Sequence, residues 1–534
     1  MPVFIQNSGA TGQLPDLNLG KNSGIHIGTI FNLRLFDIMI TVKKILHPYF
    51  KIKHISLLLF IILIGCDRKM PEYTETFKAA ELEPDYTSIS IPPNIAPLNF
   101  RIVDKADFYL ARFYNDEGTE FIISSRKGEI KIPDRKWEKL LETSGSGEYR
   151  IDILARHSGK YTKYRTITNY IAQEPIDKYL VYRLIEPGFE TWNEMGIYQR
   201  DLENYRQTPI MLNSLSGGNC MNCHTFSRNS GKDIMLHMRG ENAGTIIFKD
   251  GEYSKVNTKT DNTISVGVYP SWHPSGDFIA YSVNNIVQSF PAIPGKKIEV
   301  YDTLSDVVVY DIKKNLMITT DLLSRPEVLE TYPSWGPDGR FLYYCSAVKQ
   351  PIGNYEEIRY DLMKIPFDPD NCSFGDPEIV KKVSDIGKSI SFSRVSPDNK
   401  YLLFCLSDYG NFTLWHPESD IYMLDLSTGE ETLLPINSDR AESFHGWSSN
   451  GRWVVFSSRR DDGLYTRPYF SYFDPSGKMH KPFILPQKDP GFYTDFMKSY
   501  NLPELITSKV ELNPRRLEKF GKQNQIIQPG FVTD

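Results

Sequence analysis

The residues best equipped for chemistry stand together: Cys220, Cys223 and His224, in the run GGNCMNCHTFSRN. Two thiols three positions apart, followed at once by a histidine, are the attachment signature of c-type haem. Each thiol can add across one haem vinyl group, and the adjacent imidazole becomes the fifth ligand of the iron. Gly217 and Gly218 would let the backbone turn tightly towards a flat cofactor. The same residues would also serve as a redox thiol pair, as part of a metal site, or as nothing more than an inert pair. Zinc would need a fourth ligand, and the sequence offers no second CxxC and no HxxxH. For a sixth iron ligand the nearby candidates are Met235, His237 and Met238, each of which also reads as an ordinary strand residue. His273 is a weaker candidate. Single histidines such as His416 and His445 read as structural. No serine-nucleophile elbow, HExxH or phosphate loop accompanies them.

The rest of the chain must position this motif. At 534 residues it has room for two or three domains. Its 31 Tyr and 30 Phe favour strands. A net charge of −5 leaves no basic excess to suggest a nucleic-acid partner. From Met39 the order is that of a signal peptide: Lys43, Lys44, Lys51 and Lys53, then the short apolar run SLLLFIILIG, then Cys66. The run is short for a membrane span. Leu63-Ile64-Gly65-Cys66 resembles the lipobox of bacterial lipoproteins, which implies lipidation of Cys66 and a lipid-anchored location in the bacterial cell envelope, periplasmic or surface-facing. Residues 1–38 then read as an over-extended start. The alternative is a single transmembrane anchor ending near Cys66. Cys345 and Cys405 sit in apolar strands and read as small buried hydrophobes. A disulfide framework is excluded.

In order along the chain, 1–66 is the start plus signal segment and 67–97 a polar tether. Residues 98–175 form a β-sandwich-like domain of alternating strands, interrupted by one helix at Arg135 to Thr143. Residues 176–229 read as a linker with two short helices, near Phe189 to Met195 and Gln199 to Tyr205, ending in the CxxCH. Trp192, Met195 or Tyr198 could pack on a haem there; simple core packing is the alternative. Residues 230–488 read as a β-propeller and 489–534 as a tail of short helices.

The propeller reading rests on a repeat. YPSWHPSGDFIAYS, YPSWGPDGRFLYYCS, FSRVSPDNKYLLFC and FHGWSSNGRWVVFSS align so that Trp272, Trp335, Val395 and Trp447 share one position, 63, 60 and 52 residues apart. Each copy carries a hairpin turn and is followed by a second strand pair, giving four strands per unit. The aromatic would fill the gap between neighbouring sheets. DIMLHMRG and GTIIFKDGEYSKVN look like a diverged earlier unit. Five blades are visible. A sixth follows if the C-terminal segment or the residues before Ser230 close the ring. These repeats resemble the TolB-type β-propeller family over Val266 to Pro486, and the whole chain resembles exported bacterial lipoproteins that carry a cytochrome-like CxxCH just before TolB-like repeats. The third copy departs, with Val395 for Trp and Asn399 for Gly.

The fold class expected is therefore mostly β, a sandwich-like domain followed by a TolB-type propeller. The function expected is electron transfer or haem-linked redox through covalent haem c, with an envelope protein partner on a propeller face. A propeller that binds protein or another ligand without haem is the alternative. One point weighs against haem: no segment between Ala172 and Ser230 is long enough to wrap it in helices.

Overall fold

The computed structural model describes residues 70–186, 194–291, 298–523 and 525–534. The signal segment, Cys66 and Trp192 lie outside the described residues, as does most of the first helix expected in 176–229. Pro71–Asp534 forms one unit.

Its first part is sandwich-like. A mixed sheet is centred on the ten-residue strand Glu148–His157, which pairs with Phe108–Tyr114 on one side and with Lys160–Arg165 and Ile167–Ile171 on the other. A small sheet, Leu82–Glu83 with Phe100–Ile102 and Glu129–Ile130, shares its core, where Phe100 lies 6.3 Å from Phe113. The helix Asp134–Ser144 buries Trp137, Leu140 and Leu141 against the sheet, with Trp137 edge-on to Tyr149. The tether reading is corrected: Tyr73–Ala79 and Ser90–Ile91 extend the large sheet, pairing parallel to Lys160–Arg165 and Ile167–Ile171. Leu82, Tyr86, Ile89, Ile91 and Ile95 are buried. Five apolar residues scattered among prolines and charges show no periodicity, yet each finds a place in this core.

The second part is a six-bladed β-propeller. The innermost strands are Met221–Phe226, Gly267–Trp272, Val328–Trp335, Ser389–Val395, Glu442–Trp447 and Ser499–Ile506. Each packs on the next, and the last packs on the first, so the ring is closed. Blades one to five are antiparallel meanders running outward from these strands. The repeated tryptophans stand in equivalent places, each 6–7% exposed. Trp272 Nε1 donates to Thr225 O in the preceding blade, and Trp447 Nε1 donates to Arg394 O in its own preceding blade. The wide aromatic thus fills the wedge between twisted sheets.

The sixth blade is made from both ends of the propeller sequence. Its innermost strand is Ser499–Ile506, and its outer three are Tyr179–Ile185, Gly196–Asp201 and Gln207–Leu212. Two expectations are corrected by this. Gln199 to Tyr205 is not a helix but the end of the strand Gly196–Asp201 and its turn, because that strand is held on both edges, by Tyr179–Ile185 and Gln207–Leu212. The segment after 488 is not a tail: Tyr500, Leu505 and Ile506 are at most 1% exposed. Tyr500-Asn501-Leu502-Pro503 forms a strand bulge. Beyond it, the helix Pro514–Gly521, capped by Asn513, buries Leu517, and Gly530–Thr533 pairs parallel to Leu316–Thr319 at the edge of blade two. The sandwich docks on blade five: Trp453 Nε1 donates to Glu174 O, and Ser449 bonds Asp177.

Candidate functional site

Every innermost strand carries a bulge at the same place, seen as a register shift such as Val268/Ser271, Thr331/Ser334, Ser391/Arg394 and Ser443/Gly446. An extra residue there turns its side chain off the pleat. Tyr269, Tyr332, Phe392, Phe444 and Leu502 all take left-handed backbone at this position, with φ between 42° and 55°. Such values are uncommon for bulky residues and mark a constrained position. Their side chains meet around the propeller axis. Tyr269, Tyr332, Phe392 and Phe444 follow one another at ring separations of 4.2, 4.6 and 4.7 Å. This aromatic collar divides the axis into two cavities, one of about 570 Å³ on the side where the inner strands begin and one of about 410 Å³ where they end. The first is the upper cavity and the second the lower.

The CxxCH lies on the innermost strand of blade one, whose own bulge falls between Met221 and His224. The 176–229 linker reading is corrected accordingly: the motif is the first strand of the ring. Cys223 stands at the collar and lines both cavities, and His224 lines the lower one. Cys220 lines neither; it packs, half-buried, against the core of Met195, Met221 and Met238. Successive strand residues face opposite ways, so the three groups that a c-type haem must engage at once point to three places. As placed, the three side chains do not converge on one space and do not fit covalent haem.

The sixth-ligand candidates do not join His224. Met238 is buried opposite Met221, Met235 faces the core between blades one and two, and His237 Nδ1 meets Thr245 Oγ1 at 3.0 Å. His273 is a structural clip, with Nδ1 on Ser275 Oγ (2.8 Å) and Nε2 on Gly339 O (3.0 Å). Met195 accepts the Met221 N–H on its sulfur. Among the described residues no cluster of three His, Cys, Asp or Glu is arranged to hold a metal.

What the fold does assemble is a polar ring just below the collar. The position before the repeated tryptophan holds His224, Ser271, Ser334, Arg394, Gly446 and Glu504 in the six strands. His224 is 4% exposed, and neither ring nitrogen makes a hydrogen bond of full geometry, although the Leu502 backbone lies close enough to favour its charged form slightly. Burial and the charge of Arg183 push its pKa down to about 3, so the imidazole is neutral. His445, one position earlier on its strand, also lines the lower cavity, with Nε2 unpartnered. Burial raises Glu504 to about 7, against the Phe226 N–H (3.0 Å), the charge of Arg394 and Thr225. Burial also lowers Arg394, and the Glu504 charge opposes that shift. Sequence reading missed Arg394, His445 and Glu504. The available signal was the repeat itself: where copies one and two carry Ser before Trp, the later ones carry Arg394 and Gly446.

No family model matches the chain, and no curated protein matches it. Solved structures similar to it include a chain of the nidogen/laminin complex, at 10% identity over 57% of this chain and 93% of that one, TM-score 0.33. Dipeptidyl peptidase 4 of Porphyromonas gingivalis matches at 12% identity over 63% of this chain and 58% of its own, TM-score 0.30. The Cps50 (Swd1) β-propeller domain of Myceliophteria thermophila matches at 12% over 50% and 87%, TM-score 0.26. At these scores the likenesses carry no argument, and the propeller assignment rests on the closed ring of six strands.

Proposed function

We propose that this chain is a ligand-binding propeller of TolB type, tethered in the bacterial envelope through a lipid on Cys66, which holds a small hydrogen-bonding solute in its lower axial cavity. One observation carries the reading: the buried His224 imidazole, with no fully formed hydrogen bond at either ring nitrogen, lies in the wall of a cavity of about 410 Å³. Buried polar atoms are rarely left unpaired, and a neutral imidazole offers one donor and one acceptor. Arg394 adds fork-like donors. Glu504, poised near pH 7, can accept or donate. The collar of aromatic rings supplies an apolar ceiling, a mixture typical of small-molecule sites. An envelope protein docking on a propeller face would meet the same cavity mouth. Lipidation and export rest on the signal-like run and the lipobox resemblance of residues 39–66.

The test is native mass spectrometry of the full chain, made in a host with a working c-type maturation pathway, followed by a thermal-shift screen of polar metabolites. The expected result is a non-covalent solute, either retained or found by the screen, that His224→Phe no longer holds while its circular dichroism is unchanged. A pyridine haemochrome spectrum with mass added at Cys220 and Cys223 would overturn this reading in favour of covalent haem and electron transfer. A screen that shifts nothing, with no retained solute, would overturn it as well.

A further inference from the structure

The upper cavity has a different chemistry. Its charged lining residues are Arg183, Arg239, Arg459 and Glu186. Arg459 is committed: Nε donates to Leu414 O (2.7 Å), Nη1 to Leu464 O, and the guanidinium lies 3.4 Å over the Trp415 ring. Arg183 is anchored at one corner, with Nη1 donating to Asn222 Oδ1 (2.8 Å) and Met221 O (3.2 Å). Its Nε is buried without a partner, and so is the Nε of Arg239. Among the described residues neither arginine forms an ion pair, and Glu186 bonds neither. Two acids on Glu299–Asp311 are bonded elsewhere. Glu299 pairs with His416 (3.1 Å), and Asp302 accepts from Asn411 (2.6 Å). Two guanidinium groups thus share a partly buried space with no carboxylate bonded to them, which is costly unless an anion completes it.

The remaining wall is mixed: Asn284, Gln288 and Asn501 contribute amides, and the rest of the lining includes an apolar stretch. Val268, Ile286, Ile298, Val300 and Leu414 form it above the collar. Ile286 and Val300 belong to the strands Phe278–Ser289 and Glu299–Asp311, and Ile298 directly precedes the second of them; at 12 and 13 residues these strands outrun the 6–8 residues of the second strands in blades three to five. The extra length places these apolar side chains at the cavity wall. A volume of about 570 Å³ suits a drug-sized molecule.

From these features we propose that the upper cavity is a second binding site, selective for an organic anion: a terminal carboxylate or phosphate received by Arg183 and Arg239, with an apolar body against Val268, Ile298 and Val300. Guanidinium forks match both head groups. This inference stands on the upper cavity alone and does not depend on a solute in the lower one.

Isothermal titration of the full chain with octanoate, octyl phosphate and octanol tests it. At least one anion is expected to bind while octanol does not, and the tighter of the two names the head group. Arg239→Gln should weaken that binding at least about tenfold, Arg239→Lys should weaken it less, and both should melt with the wild type. His224→Phe should leave it unchanged. Equal binding of octanol, binding of neither anion, undiminished binding by Arg239→Gln, or loss of binding in His224→Phe would each overturn the proposal. The last result would move the anion to the lower cavity without touching the lower-site reading.

Discussion

Ending the chain after Lys498 removes the innermost strand of blade six and everything that follows it. The strand Ser499–Ile506 pairs with Tyr179–Ile185 over six matched positions, and its other edge belongs to the ring. Among the described residues, six large apolar side chains of the removed segment are buried: Tyr500, Leu505, Ile506, Val510, Leu512 and Leu517. At about 1.5–3 kcal/mol each they contribute on the order of 9–18 kcal/mol, an upper figure because an unfolded chain already buries some surface. Typical domain stability is about 5–15 kcal/mol, so the truncated ring should not close. Removing residues 525–534 instead takes the edge strand Gly530–Thr533, whose Val532 is 40% exposed, together with the bridge of Ile527 to Val256, and should cost less, on the order of 1–3 kcal/mol. Urea unfolding followed by tryptophan fluorescence, with limited proteolysis, compares the two. The short truncation should unfold cooperatively near the wild-type midpoint. The long one should be digested under conditions that spare the wild type. If the long truncation keeps a cooperative transition at the wild-type midpoint, closure by the C-terminal strand is refuted.

Three further outcomes are expected. Trp335→Ala should destabilise by about 3–5 kcal/mol in urea titrations, and Trp272→Ala and Trp447→Ala should match it to within about 1 kcal/mol; one of the three falling near zero would break their equivalence. His416 is opposed by burial but held up to about 9 by Glu299 and Glu418, so its stabilisation is full below the ordinary histidine value of about 6.5 and lost as pH rises through 9. At about 1.36 kcal/mol per unit the loss is on the order of 3 kcal/mol. Melting curves between pH 7 and 10 should therefore fall more steeply for wild type than for His416→Gln, and parallel curves would contradict the pairing. Gly339→Ala should cost about 1–3 kcal/mol, because Gly339 has φ +73° and a Cβ there would stand 2.4 Å from His273 Nε2; an unchanged midpoint in urea would show that the clip does not matter.

Much of the fold was legible locally. Alternation of apolar and polar residues marks the strands, and the recurring Trp272, Trp335 and Trp447 mark the blades, because each must fill the same wedge and so imposes the same residue. The helix near Arg135 to Thr143 was legible for a similar reason, since its amphipathic spacing is a property of the segment alone. The sequence also singled out Cys220, Cys223 and His224 by type and spacing. What spacing cannot convey is the backbone on which the residues stand. On a bulged strand at the centre of a ring, neighbours three apart separate, and the three groups part company. Ring closure was equally hidden, because Tyr179–Ile185 and Ser499–Ile506 are brought together by a geometric demand of the whole ring and by no local pattern. The two polar constellations followed from that closure. Arg183 comes from blade six and Arg239 from blade one, while His224, Arg394 and Glu504 come from three different inner strands. Pseudo-symmetry places equivalent positions around one axis, so residues about 170 and 280 apart in sequence line a common cavity, and only the tertiary structure could show which of them met there.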